Sequence, residues 1–300
     1  ATRPDGISSE LRIARTDGVE GRIELDALFR PQARRLELAL AAEEPAGGLI
    51  ARLAGIPDLP PVSLSLRGEG PVETWRGRLS AEAGEAGSLD GEIALSGLEP
   101  LDLKLSGEAR PGTILPLDIR PLLAPATRFE IAATLSDGED LELSDLGIEA
   151  PAGEIAGSGR LDLASGALTA RLTVAPRTET VAEALELPLS AGGLTLELAA
   201  GGSLDRPEAQ VTFTGSEVVY EQARLRGLDG RIARAAGDGG AWSIEGSGRF
   251  EGLEAAQLEG AESVTESIDW SLQAELAADF QRISGVELAL YGGGIEVSAE

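Results

Sequence analysis

The stretch Leu101-Asp102-Leu103-Lys104-Leu105 alternates strictly between apolar and polar residues. The same alternation returns at Leu194-Thr195-Leu196-Glu197-Leu198, and shorter copies occur along the whole chain. Successive side chains of a β-strand point to opposite faces, so each run predicts a strand with one apolar and one polar face. The sequence therefore predicts an all-β protein made of half-buried strands. A sheet must bury its apolar side against something, and that partner need not be protein.

Three segments break the alternation and have apolar residues at helical spacing, namely 46–57, 115–123 and 178–188. Prolines restrict the second to a turn or two, and Thr178 is the expected N-cap of the third. The interval between these segments is about 66 residues, which predicts a repeat of several strands plus one connecting helix. The predicted units are 1–45, 46–112, 113–177 and 178–300. Since no linker divides them, we expect a single elongated body, 1–300.

The net charge of the chain limits the classes of partner that it can bind. Acidic residues number 51 and basic residues 25, which gives a net charge of −26. Such a chain has no basic footprint for phosphate backbones or anionic headgroups, so we expect no nucleic acid partner. The longest apolar stretch, 47–56, is too short to span a bilayer and predicts no membrane insertion. The chain begins at Ala1 rather than Met, which indicates a fragment of a longer protein.

The residues needed for common enzyme chemistry are missing. The sequence contains no His and no Cys, which excludes Ser-His-Asp triads, thiol nucleophiles and ordinary zinc sites. A carboxylate pair cannot be picked out among so many acids. We therefore expect no enzyme activity, no catalytic residues, no metal and no cofactor. The pairs in Gly157-Ser158-Gly159 and Gly246-Ser247-Gly248 do not continue into a phosphate-loop motif and are interpreted as turns or bulges.

The aromatic content is only 3%, low for an all-β core, so Leu, Ile and Val must fill most of the apolar space. For Trp75, Trp242 and Trp270, which all lie in strand-like sequence, core packing is favoured over ligand stacking. On pattern alone, alternating strands most often close on protein, as in a sandwich, barrel or solenoid.

Segments 200–213, 150–163 and 70–77 carry a resemblance to a known family. The first contains Gly202-Ser203-Leu204-Asp205-Arg206-Pro207 ahead of Val211 and resembles the "G-x-L-x-x-P-x-V" signature of AsmA-like and TamB proteins. The resemblance implies a TamB-type translocation and assembly module subunit from the Gram-negative periplasm. It implies a parent protein with an inner-membrane anchor, an elongated open β-taco sheet with short connecting helices, and an outer-membrane barrel partner met through parts outside this segment. The strand-and-helix repeat also resembles the groove units of bridge-like lipid transfer proteins.

The function implied is a lipid conduit, in which phospholipid acyl chains lie along an apolar groove between the two membranes. Two alternatives stay open: a scaffold for outer-membrane protein assembly, and a closed β-solenoid or adhesin-like stalk with a dry core. The residues predicted to line the groove are the inward-facing apolar positions Leu64, Leu66, Ile93, Leu95, Leu103, Leu105, Ile131, Leu143, Leu161, Leu163, Leu172, Val174, Leu196, Leu198, Val211, Phe213, Leu288 and Leu290.

Overall fold

In the computed structural model, antiparallel strands joined by short turns make up most of the chain, and the described residues include three short α-helices and a 3-10 turn at Gly84–Ala86. The predicted all-β fold with short connecting helices is confirmed. The structure describes residues 2–3, 6–15, 21–53, 55–117, 119–204, 206–221, 223–236, 242–255, 267–276, 283–292 and 295–299. Asp205 of the TamB-like signature lies outside these residues.

The chain divides into two units, Ala1–Pro151 and Ala152–Glu300. Unit 1 contains ten strands, each paired antiparallel with the next along the chain. These strands are β1 (Thr2–Arg3), β2 (Gly6–Ala14), β3 (Arg22–Arg30), β4 (Arg35–Glu44), β5 (Val62–Pro71), β6 (Thr74–Glu82), β7 (Gly87–Ser96), β8 (Leu101–Pro111), β9 (Thr127–Ser136) and β10 (Asp140–Ala150). The repeat boundaries inferred from the sequence stay a prediction.

Unit 2 follows the same antiparallel order, with two short strands added beside longer ones. Its strands are β11 (Gly153–Asp162), β12 (Leu168–Pro176), β13 (Leu189–Ser190), β14 (Gly193–Ser203), β15 (Arg206–Tyr220), β16 (Ala223–Ala236), β17 (Trp242–Glu251), β18 (Glu254–Ala255), β19 (Ile268–Leu276), β20 (Ile283–Gly292) and β21 (Ile295–Ala299). The main pairings run β11–β12–β14–β15–β16–β17–β19–β20–β21.

The helices fall where the broken alternation predicts them: α1 (Leu49–Leu53), α2 (Arg120–Leu123) and α3 (Thr178–Ala184). They follow β4, β8 and β12, so four strands separate each helix from the next. Among the described residues, no helix is long and apolar enough to cross a membrane. The expected Thr178 cap is wrong, because the N-cap is Arg177 and no side chain caps the helix. The Thr178 hydroxyl instead donates to the Ala191 carbonyl oxygen at 2.9 Å, which ties α3 to the residues that lead into β14.

Short turns connect most other strands. Between β9 and β10 the chain reverses through Asp137 and Gly138, with φ values of 53° and 70°. Glycine adopts this left-handed region without strain and Asp tolerates it, which is why the pair marks a tight hairpin. The interpretation of Gly157-Ser158-Gly159 and Gly246-Ser247-Gly248 as turns or bulges is wrong. Both lie within β11 and β17, in uninterrupted register with their neighbours.

The apolar side chains are held mainly by their neighbours on the same face. Among the described residues, no large side chain is fully buried. In a two-sheet sandwich the inward-facing leucines would meet a second sheet and lose nearly all their exposure. Here most leucines of the apolar face are half-buried instead. The core of each unit is therefore one side of an open sheet.

Candidate functional site

The strand register of unit 1 assembles a continuous apolar face. One row across the sheet passes from Leu40 through Leu66 and Leu79, as each residue pairs with the next. A second row joins Ile93, Leu105 and Ile131. Because register fixes which residues share a face, the eight candidate residues of unit 1 lie on the same side. They are Leu64, Leu66, Ile93, Leu95, Leu103, Leu105, Ile131 and Leu143.

Unit 2 has an apolar face of its own. One row joins Leu172, Leu198 and Val211, and the next joins Val174, Leu196 and Phe213. Across the register, Leu161, Leu288 and Leu290 lie on this face as well. Leu288 is 39% exposed, more than most of the others. Leu163 differs from the rest because it lies in the turn that follows β11 and is 52% exposed.

Unit 1 contains an apolar cavity of about 340 Å³ at the end of this face. The α1 segment contributes Ile50 and Ile56, and the strands contribute Val62, Leu64 and Leu89. Small side chains complete the wall, namely Ala81, Ala83, Ala86 and Ala109. Since alanine side chains reach only a short way from the backbone, they leave room that Leu or Ile would fill. The cavity is lined for an apolar occupant and offers few polar partners to water.

Glu44, at the end of β4, holds α1 over this region. It is a buried carboxylate whose Oε2 accepts a hydrogen bond from the Ile50 backbone N–H, and Arg15 Nη1 lies 3.7 Å from its Oε1. Ala51, one residue further along α1, is completely buried. A buried charge needs such partners to offset its lost hydration. Nothing in the sequence distinguishes Glu44 from the other acidic residues, because its role depends on the α1 turn folding back over it.

Aromatic rings lie flat across glycines on the apolar face of unit 1. Trp75, only 3% exposed, covers Gly68 and Gly77, where an added Cβ would approach ring atoms to 2.2 and 2.5 Å. Phe129 covers Gly107 in the same way, at 2.9 Å. The missing glycine side chains make the space that the rings occupy, as in aromatic rescue of strand glycines. The predicted packing role of Trp75 is confirmed.

Three aromatic side chains of unit 2 lie next to one another. The Trp270 ring stacks against Phe213 at 6.1 Å and against Phe250 at 6.2 Å. Phe213 and Trp270 cover glycines of β16 and β17, including Gly230 and Gly248. The predicted packing role of Trp270 is confirmed as well, and Trp270 is 7% exposed. Glycine pairs two residues apart in a strand, facing an aromatic on a nearby strand, are the signal that sequence reasoning missed.

A charged residue also lies on the apolar face of unit 2. Arg234 pairs with Ala209 on one side and Ile244 on the other. Its guanidinium carbon lies 3.6 Å from the centroid of the Trp242 ring. This cation–π contact favours a positive charge over an indole face and lets the arginine remain beside apolar neighbours. Trp242 therefore packs against a cation rather than within an apolar core.

The opposite faces of both units are polar and pair opposite charges across strands. Arg22 and Glu43 are direct register partners joined at 2.9 Å, and Arg249 and Asp269 repeat the arrangement at 2.8 Å. The hydrogen bond from Arg249 to Asp269, together with the attraction of its charge, raises the pKa of Arg249. Exposed pairs of this kind contribute little stability each. They mainly keep the polar face solvated.

The described residues contain no group of acidic side chains arranged to hold a metal ion. What the site offers is apolar surface, in rows of aliphatic side chains and in the cavity beside α1. Surface of this kind attracts hydrocarbon by the hydrophobic effect. Comparisons with protein-family models, curated proteins and solved structures find no match for this chain.

Proposed function

We propose that this chain binds the acyl chains of phospholipids along its apolar faces and forms part of a lipid conduit between the inner and outer membranes of a Gram-negative envelope. The observation that carries the proposal is the apolar face of unit 1, whose rows of half-buried leucines end at a cavity of about 340 Å³ lined mainly by apolar side chains. Its motifs resembling AsmA-like and TamB proteins point to the same function.

The energetics favour hydrocarbon as the occupant. Each methylene moved from water to an apolar environment contributes about 0.8 kcal/mol. Among the described residues of β2–β10, the register places one ionisable side chain on the apolar face, Glu44, and that carboxylate is already engaged with α1. A wall without polar anchors holds acyl chains and leaves headgroups in water, so binding discriminates weakly between headgroups. Such a wall also lets the chains slide.

In this proposal the chain is not an enzyme and works in the periplasm. A parent protein holds it from an inner-membrane anchor, and parts outside residues 1–300 meet the outer-membrane barrel partner. The open side of each sheet favours this function over a closed stalk, since a closed core would bury large side chains completely. The assembly scaffold remains the competing function, and the experiments below separate the two.

The first experiment measures lipid binding to the purified chain. We would extract and identify co-purifying lipids by mass spectrometry, then titrate the delipidated protein with a phosphatidylethanolamine that carries a fluorescent acyl chain. Leu172→Asp puts a charge on the apolar face, and its neighbour Thr173→Asp puts the same charge on the polar face. Leu143→Arg and Glu142→Arg form a second matched pair. The inward variants should lose about tenfold in affinity or more, because an unpaired charge among acyl chains costs more than 1.4 kcal/mol.

Equal affinities for the inward and outward variants would contradict the proposal, provided that circular dichroism finds both folded. The second experiment places the same pairs in the full-length parent protein and measures lipid movement between membranes at equal protein abundance. Loss of lipid movement in the inward variants alone supports the conduit. Loss of outer-membrane protein assembly with lipid movement preserved would favour the scaffold.

A further inference from the structure

A second depression lies on the polar face of unit 1, opposite the apolar rows. It has a volume of about 850 Å³ and is formed by β5 to β8. Its walls carry four cations, two carboxylates and several hydroxyls, namely Arg67, Arg76, Arg78, Lys104, Glu69, Glu92, Ser65, Ser80 and Ser106. The chain has 51 acidic residues against 25 basic ones, and Lys104 is its only lysine. A local excess of positive charge therefore stands against the composition of the whole protein.

The register places two like charges side by side in this depression. Arg67 of β5 is the direct cross-strand partner of Arg78 of β6. Several other arginines of the polar face pair with an acid across the strands, as Arg128 does with Glu149, although Arg30 and Arg35 are also direct partners. Like charges placed directly opposite each other destabilise a sheet.

The cations of the depression have free hydrogen-bonding capacity. Within the described part of the chain, Arg67, Arg76 and Lys104 make no ion pair, although many other arginines do. Arg78 reaches Glu92 only at 3.4 Å, and both side chains are largely exposed. Arg76 and Lys104 flank Ala94 from opposite sides on β6 and β8, so no side-chain acid separates them along that row. Four positive groups thus line one concave area together with the carboxylates of Glu69 and Glu92, which leaves positive charge in excess there.

We propose that this depression binds a compact oxyanion of the phosphate class. Guanidinium groups present planar forks of N–H donors that match phosphate oxygens two at a time, and an ammonium adds a further charge. The Ser65 and Ser80 hydroxyls, opposed in the register beside Arg67 and Arg78, supply neutral donors. A small anion with two or more charges suits the site better than an extended acidic chain. An extended chain would reach the surrounding acidic surface and be repelled there.

The site is tested by calorimetric titration of the full chain with pyrophosphate at constant ionic strength. The double variant Arg67→Gln/Arg76→Gln should weaken binding at least tenfold. The matched control Arg171→Gln/Arg231→Gln removes two exposed, unpaired arginines from the polar face of unit 2 and should leave binding unchanged. Equal weakening by both variants, or no heat beyond that of chloride, would overturn the proposal. So would an octaglutamate peptide that binds as tightly as pyrophosphate, since it would assign the depression to an acidic protein segment.

Vesicles then identify the source of the phosphate. If phosphatidylglycerol vesicles recruit the chain, pyrophosphate displaces it, phosphatidylcholine vesicles do not recruit it and the double variant fails to bind, the ligand is a lipid headgroup. If pyrophosphate binds and neither vesicle does, the ligand is a soluble phosphate compound. Neither result depends on the acyl-chain site, because the substituted arginines lie on the opposite face.

The stability of a single variant gives an independent readout. Arg67→Gln removes the repulsion from Arg78, so its melting temperature should rise slightly at low salt without ligand, and the gain should shrink as salt screens the charges. A lower melting temperature at low salt would mean that Arg67 supports the fold, which would overturn the argument that its position serves ligand binding.

Discussion

The two units use the same alternating strands but fill the apolar face in different ways. Unit 1 leaves an apolar cavity beneath α1, walled by alanines such as Ala81 and Ala109. Both units place aromatic rings over strand glycines, but in unit 2 the Trp270 ring also stacks against Phe213 and Phe250. Alternation decides which face is apolar, and side-chain size decides whether space remains on it. We therefore expect unit 1 to depend more on ligand and unit 2 more on its own packing.

The largest expected effect is on the aromatic stack of unit 2. Trp270→Ala should lower the free energy of unfolding by about 3–5 kcal/mol, because a nearly buried indole and its two ring contacts are lost together. Trp242→Ala, at a half-buried site beside Arg234, should cost only about 1 kcal/mol. Urea unfolding followed by far-ultraviolet circular dichroism measures both. Similar losses in the two variants would mean that the stack does not dominate unit 2.

The next effect concerns the glycines beneath the rings. A Cβ at Gly230 would lie 2.4 Å from Phe213 and 2.5 Å from Trp270. At Gly91 of unit 1 the nearest ring atom is 3.7 Å away and a carbonyl oxygen lies at 2.9 Å. Gly230→Ala should therefore cost about 2 kcal/mol and Gly91→Ala about 1 kcal/mol in unfolding free energy.

Gly201→Ala provides the control in unit 2, because the nearest atom to its added Cβ lies 3.9 Å away. It should be neutral or slightly stabilising, since alanine restricts the unfolded chain more than glycine does. A loss at Gly201 as large as that at Gly230 would contradict the packing explanation.

Sequence reasoning could predict the strands and their faces because alternation of period two is a local property. The alternation from Leu101 to Leu105 by itself determines which side chains share a face. Strand pairing then places Leu105 beside Ile93 and Ile131. The three helices were predicted for the same reason, as interruptions of a local pattern. The Thr178 cap was wrong because its hydroxyl prefers a carbonyl oxygen thirteen residues away, and that partner depends on tertiary structure.

The parts of the site that escaped prediction depend on contacts between strands. Gly157 and Gly159 suggested a turn because glycine is common in turns, whereas in the structure Leu172 occupies the space above Gly157. Glu44 resembles other exposed acids until α1 folds over it. The opposition of Arg67 and Arg78 requires the register of β5 and β6, which no single strand contains.

Filling the cavity of unit 1 should make its stability depend less on ligand and more on its own packing, as we expect for unit 2. Ala109→Leu adds a larger apolar side chain to the cavity wall and should raise the unfolding free energy by about 1 kcal/mol. It should also reduce binding of the fluorescent-tail phospholipid. Ala41→Leu lies on the polar face, opposite Ser65, and should change neither quantity much. If Ala109→Leu is stabilised but binds the phospholipid as well as the parent chain does, the cavity is not part of the acyl-chain site.

The smallest expected difference lies in the turns. The β9–β10 turn of unit 1 bends through Gly138, whereas in unit 2 the Asp162 carboxylate accepts the backbone N–H groups of Ala164 and Ser165 at 2.9 and 2.8 Å. These hydrogen bonds, those with Ser165 above all, lower the pKa of Asp162.

The Asp162 carboxylate binds a proton less readily in the folded chain than in the unfolded chain. Its contribution to stability is therefore complete above the unfolded-state pKa of about 3.9 and disappears as the pH falls through the folded-state pKa. Asp162→Asn should therefore be less stable than the parent chain above about pH 4, and the difference should shrink as the pH falls below that value. Ser165→Ala should move the Asp162 midpoint, followed by carboxyl NMR, back toward its ordinary value. A midpoint already at that value in the parent chain would contradict the role of this carboxylate in the turn.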